Sequence, residues 1–503
     1  MKKLFTLMML AIAVMTAKAT DYTDRLLVLV NGEGEEQQAT ISVTKNGNLY
    51  DLNLKNFMLI NGNTQLPVGN VELKGITPEQ SGNAIFLRAK QDITVSAGDT
   101  PGVSSWLGPS LGELPVDLTA VLEGDKLRAL IDLEVKLLNQ IVNVRFGDEL
   151  VTGTNYHIPN SGFEEWHTST GVYKEPNAWH SFESATGGLA SSAGHHIEQS
   201  DNGIGGTSCA RIFATTPLSG IVANGTMTTG RMNAGSIFAS NTANNAYLDM
   251  SKTDTDGNGD PFYVTLTSKP DSLVLWVNFK QATPNKDHPY ATVSAVITDG
   301  TYYQDPEDKS YSNYMAKAKN NKIAVTNGKW QRISIPFTYF RNNVEPKAIL
   351  VTISTNADPG QGSEGDEMLV DDISLVYNSK LSKLNVPGFN PEVFEYETDG
   401  SLSFNSIEAT ADGWGCHVLK SLEQKEDGEY AVIKVYSADL RSSNTYTIKL
   451  NSNGSTSIIS IPTSTASSAD TYYNIDGTQV TSPQKGRVVI VRKADGSTMK
   501  VVR

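Results

Sequence analysis

The sequence predicts an all-β protein of several domains. Polar and apolar residues alternate in many short runs, as in Asp51–Lys55, Asp132–Leu137 and Val142–Phe146, and a period of two is typical of a strand with one face on a core. Asn-Gly pairs, as at Asn31-Gly32 and Asn46-Gly47, supply the positive φ angles of tight hairpin turns. No long amphipathic helix can be recognised, and the length of 503 residues corresponds to about three domains.

Composition excludes several functional classes. Apolar residues make up 39% of the chain and charged residues 19%, which is the balance of a folded globular protein. The net charge is −14, and there is no basic cluster of the kind that nucleic acids or anionic membranes attract. Two cysteines are too few for a disulfide scaffold or a Cys-rich zinc module. We therefore expect no nucleic-acid partner.

Residues 1–19 have the pattern of a secretory signal peptide. Lys2 and Lys3 precede a short apolar run at Leu4–Val14, and Ala17-Lys18-Ala19 is a small-x-small cleavage site. The apolar run is too short to span a bilayer, and no comparable run follows it, so no transmembrane segment is expected. The mature protein is predicted to be secreted, periplasmic or at the cell surface after cleavage near Ala19.

The first segment of the mature chain, residues 20–151, is predicted to be a β-barrel. Its alternating strands are separated by Asn-Gly turns at short intervals, which favours an antiparallel sheet. Closure of such a sheet on itself removes exposed strand edges.

The central segment, residues 152–379, is predicted to be a jelly-roll β-sandwich. Strands separated by long polar loops are expected at 273–279, 291–298, 330–337 and 348–354. This spacing suits two packed sheets with elaborated loops. A first strand near Phe163 is expected to pair with a strand holding Val370–Val376.

The C-terminal part divides into three segments. Residues 380–450 have the size and the short strands of one immunoglobulin-like sandwich. Residues 451–470 are dominated by Ser, Thr and Asn, the composition of a linker. Residues 471–503 are predicted to form a short β tail.

The central segment resembles a known family on several motifs. It opens with "NSGFEEWH" and closes with "LVDDISLVY", and between them lie "EPNAWHSF", "MTTGRMNAGSIF", "DPFYVTLTSKPDSLVLWVNFK" and "GKWQRISIPFTY". In this order they resemble the "putative carbohydrate metabolism domain" of secreted Bacteroidetes proteins, a jelly roll similar to carbohydrate-binding modules. The resemblance implies a glycan ligand, and it includes a suggested glycoside hydrolase activity of the xylanase type.

The neighbouring segments resemble the usual companions of that domain. Residues 22–146 look like a calycin-like (lipocalin-like) barrel. Residues 380–450, with "LSKLNV" and "SADLRSSNTYTIKL", are similar to a small immunoglobulin-like module. The tail "YYNIDGTQV…KGRVVIVRKADGSTMKVV" is similar to the C-terminal strand motif of many exported Bacteroidetes proteins.

A carboxylate group at the two ends of the central segment is the first candidate site. If the first and last strands are neighbours, Glu164 or Glu165 could approach Asp371 or Asp372. Three roles are open: a structural calcium site formed by clustered oxygens, carboxylates held by hydrogen bonds, or the paired carboxyl groups of a glycoside hydrolase. In carbohydrate-binding jelly rolls the matching Glu and Asp are structural calcium ligands, so the resemblance implies calcium at Glu164, Asp371 and Asp372.

The loop Asp254–Asp260 is a second candidate for calcium. Asp254, Asp256 and Asn258 place oxygens at alternate positions, with a glycine directly after Asn258, as in the first half of a calcium-binding loop. The loop departs from that pattern further on, where Thr265 replaces the bidentate Glu. A polar turn without a metal is the alternative.

Aromatic side chains are candidates for sugar contacts, because flat rings pack on the C–H faces of sugars while polar neighbours bind the hydroxyls. The segment 299–314 carries four tyrosines among Asp, Asn and Ser, and a tryptophan lies in the run 273–277. The candidates are Trp276, Tyr302, Tyr303, Tyr311 and Tyr314. Packing into a core is the alternative for each.

Taken together, these features predict an exported protein that binds a polysaccharide or glycan in its central domain, or that assists carbohydrate metabolism. A glycoside hydrolase that uses Glu164 and Asp371 is the first alternative. A structural or adhesive cell-surface protein with protein partners is the second. Calcium is the only cofactor that the sequence suggests.

Overall fold

The computed structural model describes residues 19–61, 64–169, 172–218, 220–255 and 257–452, and in the C-terminal part 471–473, 479–480, 488–492 and 498–502. The chain divides into two compact units, Met1–Leu450 and Asn451–Arg503. The predicted signal peptide, apart from Ala19, and most of the predicted linker lie outside the described residues. The prediction of an all-β, multidomain protein is confirmed.

Nine strands form one antiparallel sheet at the N-terminus, in the order β4-β3-β2-β1-β9-β8-β7-β6-β5. They are β1 (Ala19–Val30), β2 (Glu36–Asn46), β3 (Leu49–Asn61), β4 (Thr64–Ile76), β5 (Pro78–Ser81), β6 (Ala84–Thr94), β7 (Glu113–Glu123), β8 (Lys126–Val135) and β9 (Gln140–Phe146). The alternating residues Leu26 and Val28 point into one buried core with Leu118 and Phe146. Asn70 of β4 and Ser96 after β6 exchange two backbone hydrogen bonds of 2.8 and 3.2 Å, so the sheet curls into a nearly closed barrel, as predicted.

A short α-helix, α1 (Asp148–Val151), leads from the barrel into the central segment. The strands that follow are β10 (Trp166–Thr168), β11 (Lys174–Pro176), β12 (Ile197–Ser200), β13 (Cys209–Phe213), β14 (Thr215–Leu218), β15 (Ile221–Ala223), β16 (Thr226–Thr228), β17 (Arg231–Ala234), β18 (Asn244–Leu248), β19 (Val264–Thr265), β20 (Ser272–Lys280), β21 (Ala291–Thr298), β22 (Tyr303–Asp305), β23 (Tyr314–Ile323), β24 (Gln331–Pro336), β25 (Thr338–Tyr339), β26 (Ala348–Ser354) and β27 (Glu367–Val376).

Two sheets of the central segment pack face to face. The first has the order β12-β13-β27-β20-β24, and the second has the order β16-β26-β21-β23-β25 with β19 on β26. Leu275 and Val277 of the first sheet share one buried core with Val293 and Ala295 of the second. The alternation of apolar and polar residues therefore gives each sheet one core face and one outer face, as in a β-sandwich.

The predicted strand pairing between the ends of this segment is wrong. β27 pairs with β13 and β20, and Phe163 lies in a turn with a positive φ of 56°, which is incompatible with an extended strand. The two ends are nevertheless neighbours, because the Ile373 N–H donates to the Ser161 carbonyl at 3.0 Å.

The segment from 381 onwards forms a smaller module with its own core. Its strands are β28 (Leu381–Leu384), β29 (Glu395–Glu397), β30 (Ala409–Ala411), β31 (His417–Lys425), β32 (Gly428–Tyr436) and β33 (Ser443–Ser452). β28 pairs with β30, and a second sheet has the order β29-β33-β32-β31. The aromatic ring of Tyr446 is fully buried beside Ile433 and Ile448.

This smaller module packs directly on the barrel, a contact that the order of segments in the sequence did not predict. The rings of Phe86 and Tyr436 lie 5.4 Å apart. The Arg128 guanidinium donates to the Ala438 carbonyl at 3.2 Å, and the Val418 N–H donates to Ser81 Oγ at 3.1 Å.

The C-terminal unit contains β34 (Thr471–Tyr473), β35 (Gln479–Val480), β36 (Val488–Arg492) and β37 (Thr498–Val502). They form an antiparallel sheet in the order β35-β34-β36-β37, in keeping with the predicted β tail. Across the parts of the chain described here, none of the helices has the length and apolar character needed to cross a membrane.

Candidate functional site

A cleft of about 340 Å³ opens on the outer face of the second sheet. Its floor consists of polar side chains from four adjacent strands, short ones except for a single lysine: Thr226 of β16, Thr352 and Ser354 of β26, Thr292 and Ser294 of β21, and Lys319 and Asn321 of β23. Their apolar neighbours Val293 and Ala295 face the core. The alternating sequence of β21 and β26 therefore places a row of hydroxyls where the sheet meets solvent.

Strand register brings these side chains into cross-strand rows. Ser354 lies between Thr226 and Thr292 on the neighbouring strands, and Thr226 Oγ1 donates to Ser354 Oγ at 3.0 Å. Thr292 Oγ1 in turn donates to Asn321 Oδ1 at 2.7 Å. Rows of this kind fix the orientation of each hydroxyl, so the floor presents an ordered set of donors and acceptors.

The walls of the cleft are largely apolar. The β14–β15 hairpin contributes Leu218 and Ile221, the β17–β18 hairpin contributes Met232, and Phe182 and Ile237 come from loops. Asp305, at the end of β22, supplies the only carboxylate among the described lining residues. A concave site with apolar walls and a few converging polar groups is the usual form of a small-ligand site.

The predicted tyrosine group is mostly internal. Tyr303 and Tyr311 are buried, their ring centroids lie 5.1 Å apart, and their hydroxyls donate to Glu307 at 2.9 Å and Asp308 at 2.8 Å. Burial raises the pKa of both hydroxyls well above the usual range. Their ring faces are therefore packed against protein, which corrects the expectation that they contact sugar.

The other two tyrosines differ in exposure. Tyr314 is half-buried, with the Lys317 ammonium 3.9 Å and the Arg341 guanidinium 4.0 Å from its ring centroid. Tyr302 is 48% exposed, and its ring lies 5.6 Å from that of Tyr247. Of the four tyrosines, only Tyr302 presents much of its side chain to solvent.

Trp276 lies on the opposite side of the sandwich from the cleft. It is half-buried in β20, between Asp371 of β27 and Arg332 of β24, and it alternates with the core residues Leu275 and Val277. The structure thus does not bring Trp276 together with the cleft floor.

Glu164, Asp371 and Asp372 are near one another, and the first two accept hydrogen bonds from the backbone. Asp371 is fully buried, and its carboxylate accepts hydrogen bonds from the N–H groups of Ile204 at 2.7 Å and Asp372 at 2.8 Å. Glu164 accepts one from the Ser208 N–H at 3.1 Å. Burial raises the pKa of Asp371, and the charges of Asp372 and Glu164 add to the rise. This geometry favours hydrogen-bonded carboxylates among the three roles considered.

One group of metal-ligating side chains converges in the described part of the chain, and the predicted loop supplies one of its members. Asp254 meets His167 of β10 and Glu175 of β11. Asn258 instead hydrogen-bonds to Asp260 at 2.7 Å and Asn177 at 3.3 Å, and Asp256 lies outside the described residues. The loop was thus recognisable from its acidic spacing, whereas His167 and Glu175 gave no spacing signal, because they come from a distant hairpin.

Comparison with known proteins gives a family for the N-terminal domain. A crystal structure at 2.05 Å of a "putative glycoside hydrolase" from Bacteroides thetaiotaomicron is similar at 12% identity, covering 64% of this chain and 92% of that chain with a TM-score of 0.32. No curated protein sequence matches the chain. Residues 19–149 match the family model of the Calycin-like beta-barrel domain. The nine-stranded N-terminal sheet is therefore similar to calycin-like β-barrel domains over residues 19–149.

Proposed function

We propose that the protein binds a glycan, without cleaving it, in the cleft on the second sheet of the central segment. The observation that carries the proposal is the row of hydroxyl and amide side chains on the floor, of which Ser294, Thr352 and Asn321 are members, beneath apolar walls. Sugars present hydroxyl groups and apolar C–H faces together, so they need both kinds of surface in one site.

Binding is favoured over hydrolysis by the carboxylates. Glycoside hydrolysis uses two carboxyl groups on either side of the scissile bond, about 5–9.5 Å apart depending on stereochemistry. Among the described residues that line the cleft, Asp305 is the only one with a carboxylate. Glu164 and Asp371, the pair considered for a hydrolase, accept backbone hydrogen bonds elsewhere. A glycoside hydrolase that uses them is the alternative function.

The place of action is part of the proposal. The signal-peptide pattern of residues 1–19 supports export, so the glycan would be met in the periplasm, at the cell surface or outside the cell. A purely adhesive role, with protein partners and no sugar ligand, is a further alternative.

A binding experiment on the full chain separates these functions. The chain is screened on a glycan array, and the affinity for the best ligand is measured by calorimetry for wild type and for Thr352→Trp, which fills the cleft. Trp276→Ala and Tyr302→Ala serve as matched controls, because they remove aromatic rings outside the cleft lining. We expect Thr352→Trp to abolish binding and both controls to retain it.

Other results would assign another function. Loss of binding in the controls but not in Thr352→Trp would move the site to the predicted aromatics. Release of reducing sugar by wild type, abolished by Glu164→Gln, would establish the hydrolase alternative. Absence of any glycan ligand would favour the adhesive role.

A further inference from the structure

Three metal-ligating side chains, those of His167, Glu175 and Asp254, meet in the interior of the central segment and offer one ligand atom each within 4.8 Å of one another. Within the described residues, His167 Nε2, Glu175 Oε2 and Asp254 Oδ2 are buried and have no hydrogen-bond partner. His167 Nε2 and Asp254 Oδ2 are 3.6 Å apart, which is too long for a hydrogen bond. Glu175 is fully buried and Asp254 is 2% exposed. Buried polar atoms in proteins almost always have partners, so this group lacks a partner that the described residues do not supply.

The other polar side-chain atoms of Glu175 and His167 are already engaged. Glu175 Oε1 accepts hydrogen bonds from the Ser181 N–H and Ser181 Oγ, both at 2.5 Å, and from Ser184 Oγ at 3.2 Å. His167 Nδ1 lies 3.0 Å from Asn177 Oδ1. Because an amide oxygen can only accept, this contact assigns the proton to Nδ1 and leaves the Nε2 lone pair free. Such an outer contact is the usual support of a metal-binding histidine.

The backbone approaches the group closely at Gly257. A Cβ at this position would lie 2.1 Å from Asp254 Oδ2 and 3.0 Å from His167 Nε2. The N–H groups of Gly257 and Gly259 donate to the Asp254 carbonyl at 3.3 and 2.9 Å. The loop is therefore shaped around the Asp254 carboxylate, and only glycine fits at its inner side.

The charge balance also calls for a cation. Glu175 and Asp254 are both buried, and their carboxylates belong to the same converging group. Within the described residues, neither carboxylate forms an ion pair with lysine or arginine, and the nearest ring nitrogen, His167 Nε2, is 3.6 Å from Asp254 Oδ2. Two buried carboxylates without a positive partner are costly, and a bound divalent cation would remove that cost.

We propose that His167, Glu175 and Asp254 bind a divalent transition-metal ion, with Zn²⁺ as the first choice. An imidazole nitrogen with two carboxylate oxygens suits zinc and its neighbours, whereas calcium and magnesium prefer oxygen ligands throughout. The site ties the β10–β11 hairpin to the 254–260 loop, and its burial indicates a structural role. It is independent of the glycan cleft.

The test uses the full chain, purified without a metal-affinity tag and stripped with a chelator. Zn²⁺, Mn²⁺ and Ca²⁺ are added separately, and binding is followed by calorimetry and by thermal unfolding. We expect one Zn²⁺ per chain and a saturable rise in melting temperature, since a ligand that binds only the folded state stabilises it. Co²⁺ should give the absorption bands of a protein-bound ion. Ca²⁺ should have no such effect.

The variants separate a specific site from surface binding. His167→Ala and the milder His167→Gln should each weaken Zn²⁺ binding by about 100-fold or more, since loss of a ligand exceeds the roughly 10–100-fold effect of losing an outer contact. His288→Ala is the matched control, because His288 and Asp358 form a partly exposed pair elsewhere, with Nδ1 and Oδ2 2.7 Å apart. Equal binding by His167→Gln and wild type, or a preference for Ca²⁺ over Zn²⁺, would overturn the proposal.

Discussion

Ser294 of β21 and Thr352 of β26 lie directly opposite each other on neighbouring strands, and both side chains line the cleft. Their hydroxyls are candidates for direct bonds to the proposed glycan. We expect Ser294→Ala and Thr352→Val each to weaken glycan binding by roughly 2–10-fold, because one neutral hydrogen bond contributes about 0.5–1.5 kcal/mol. Calorimetry with the best array ligand measures the change. Unchanged affinity in both variants would remove these hydroxyls from the site.

The cleft shows what the sequence could and could not predict. The strands at 291–298 and 348–354 follow from their alternating residues, but an outward hydroxyl on a strand has the same pattern whether it meets solvent or a ligand. The walls come from the β14–β15 and β17–β18 hairpins, whose return over the sheet depends on long-range packing. The tyrosine-rich segment has the composition of a loop that contacts sugar. Tyr303 and Tyr311 are nevertheless buried in a local core, so their rings cannot contact a ligand.

The buried group of His167, Glu175 and Asp254 shows the same limit. Asp254 belongs to a recognisable acidic loop, but the loop's own spacing suggested Asp256 and Asn258 as its partners. The actual neighbours come from a hairpin far away in the sequence. Periodicity reports local structure, and it carries no information on which distant loops meet.

The carboxylate of Asp371 is expected to stabilise the fold through the two hydrogen bonds that it accepts from the N–H groups of Ile204 and Asp372. Asp371→Ala removes the acceptor of both partly buried hydrogen bonds, at a cost of about 0.5–1.5 kcal/mol each, whereas Asp371→Asn keeps one acceptor oxygen and should cost less. Urea unfolding of the full chain measures both. Addition of calcium to stripped wild type should leave its melting temperature unchanged; a saturable rise that Asp371→Ala loses would instead support calcium at this position.

Arg128 is expected to hold the barrel against the smaller C-terminal module of the first unit. It is 4% exposed, donates to the Ala438 carbonyl, and lies 3.1 Å from Glu123 and 3.7 Å from Glu149. Arg128→Met keeps the apolar stem but removes these contacts, and we expect the free energy of unfolding to fall by about 1–3 kcal/mol. Lys90→Met, which breaks an exposed pair with Asp117, should change it by less than about 1 kcal/mol. Equal effects of the two variants in urea unfolding would contradict the assignment.

His417 should make the contact between the barrel and the smaller module sensitive to acid. Its ring lies 4.9 Å from that of Phe86, and burial lowers its pKa, with the charge of Arg128 acting in the same direction and that of Glu123 opposing it. The unfolded chain then binds a proton near pH 6.5 that the folded chain does not. The contribution of neutral His417 to the free energy of unfolding is therefore complete above about pH 6.5. It is lost as the pH falls towards the pKa that His417 has in the folded protein. Urea unfolding between pH 7 and 5 should show a decline that is shallower in His417→Gln, and an identical slope in the variant would refute this.

Gly257 provides the sharpest test of the metal site that does not alter a ligand. A methyl group there would lie 2.1 Å from Asp254 Oδ2, so Gly257→Ala must displace the carboxylate while leaving all three ligand side chains in the sequence. We expect its affinity for Zn²⁺ to fall by about 10–100-fold, the range seen when the support of a metal ligand is disturbed. Gly188→Ala is the control, since an added Cβ there meets nothing within 4 Å. Calorimetry on stripped full-length protein compares the three chains. If Gly257→Ala binds Zn²⁺ as tightly as wild type, the Asp254 carboxylate does not hold the ion, and the three-residue site must be abandoned.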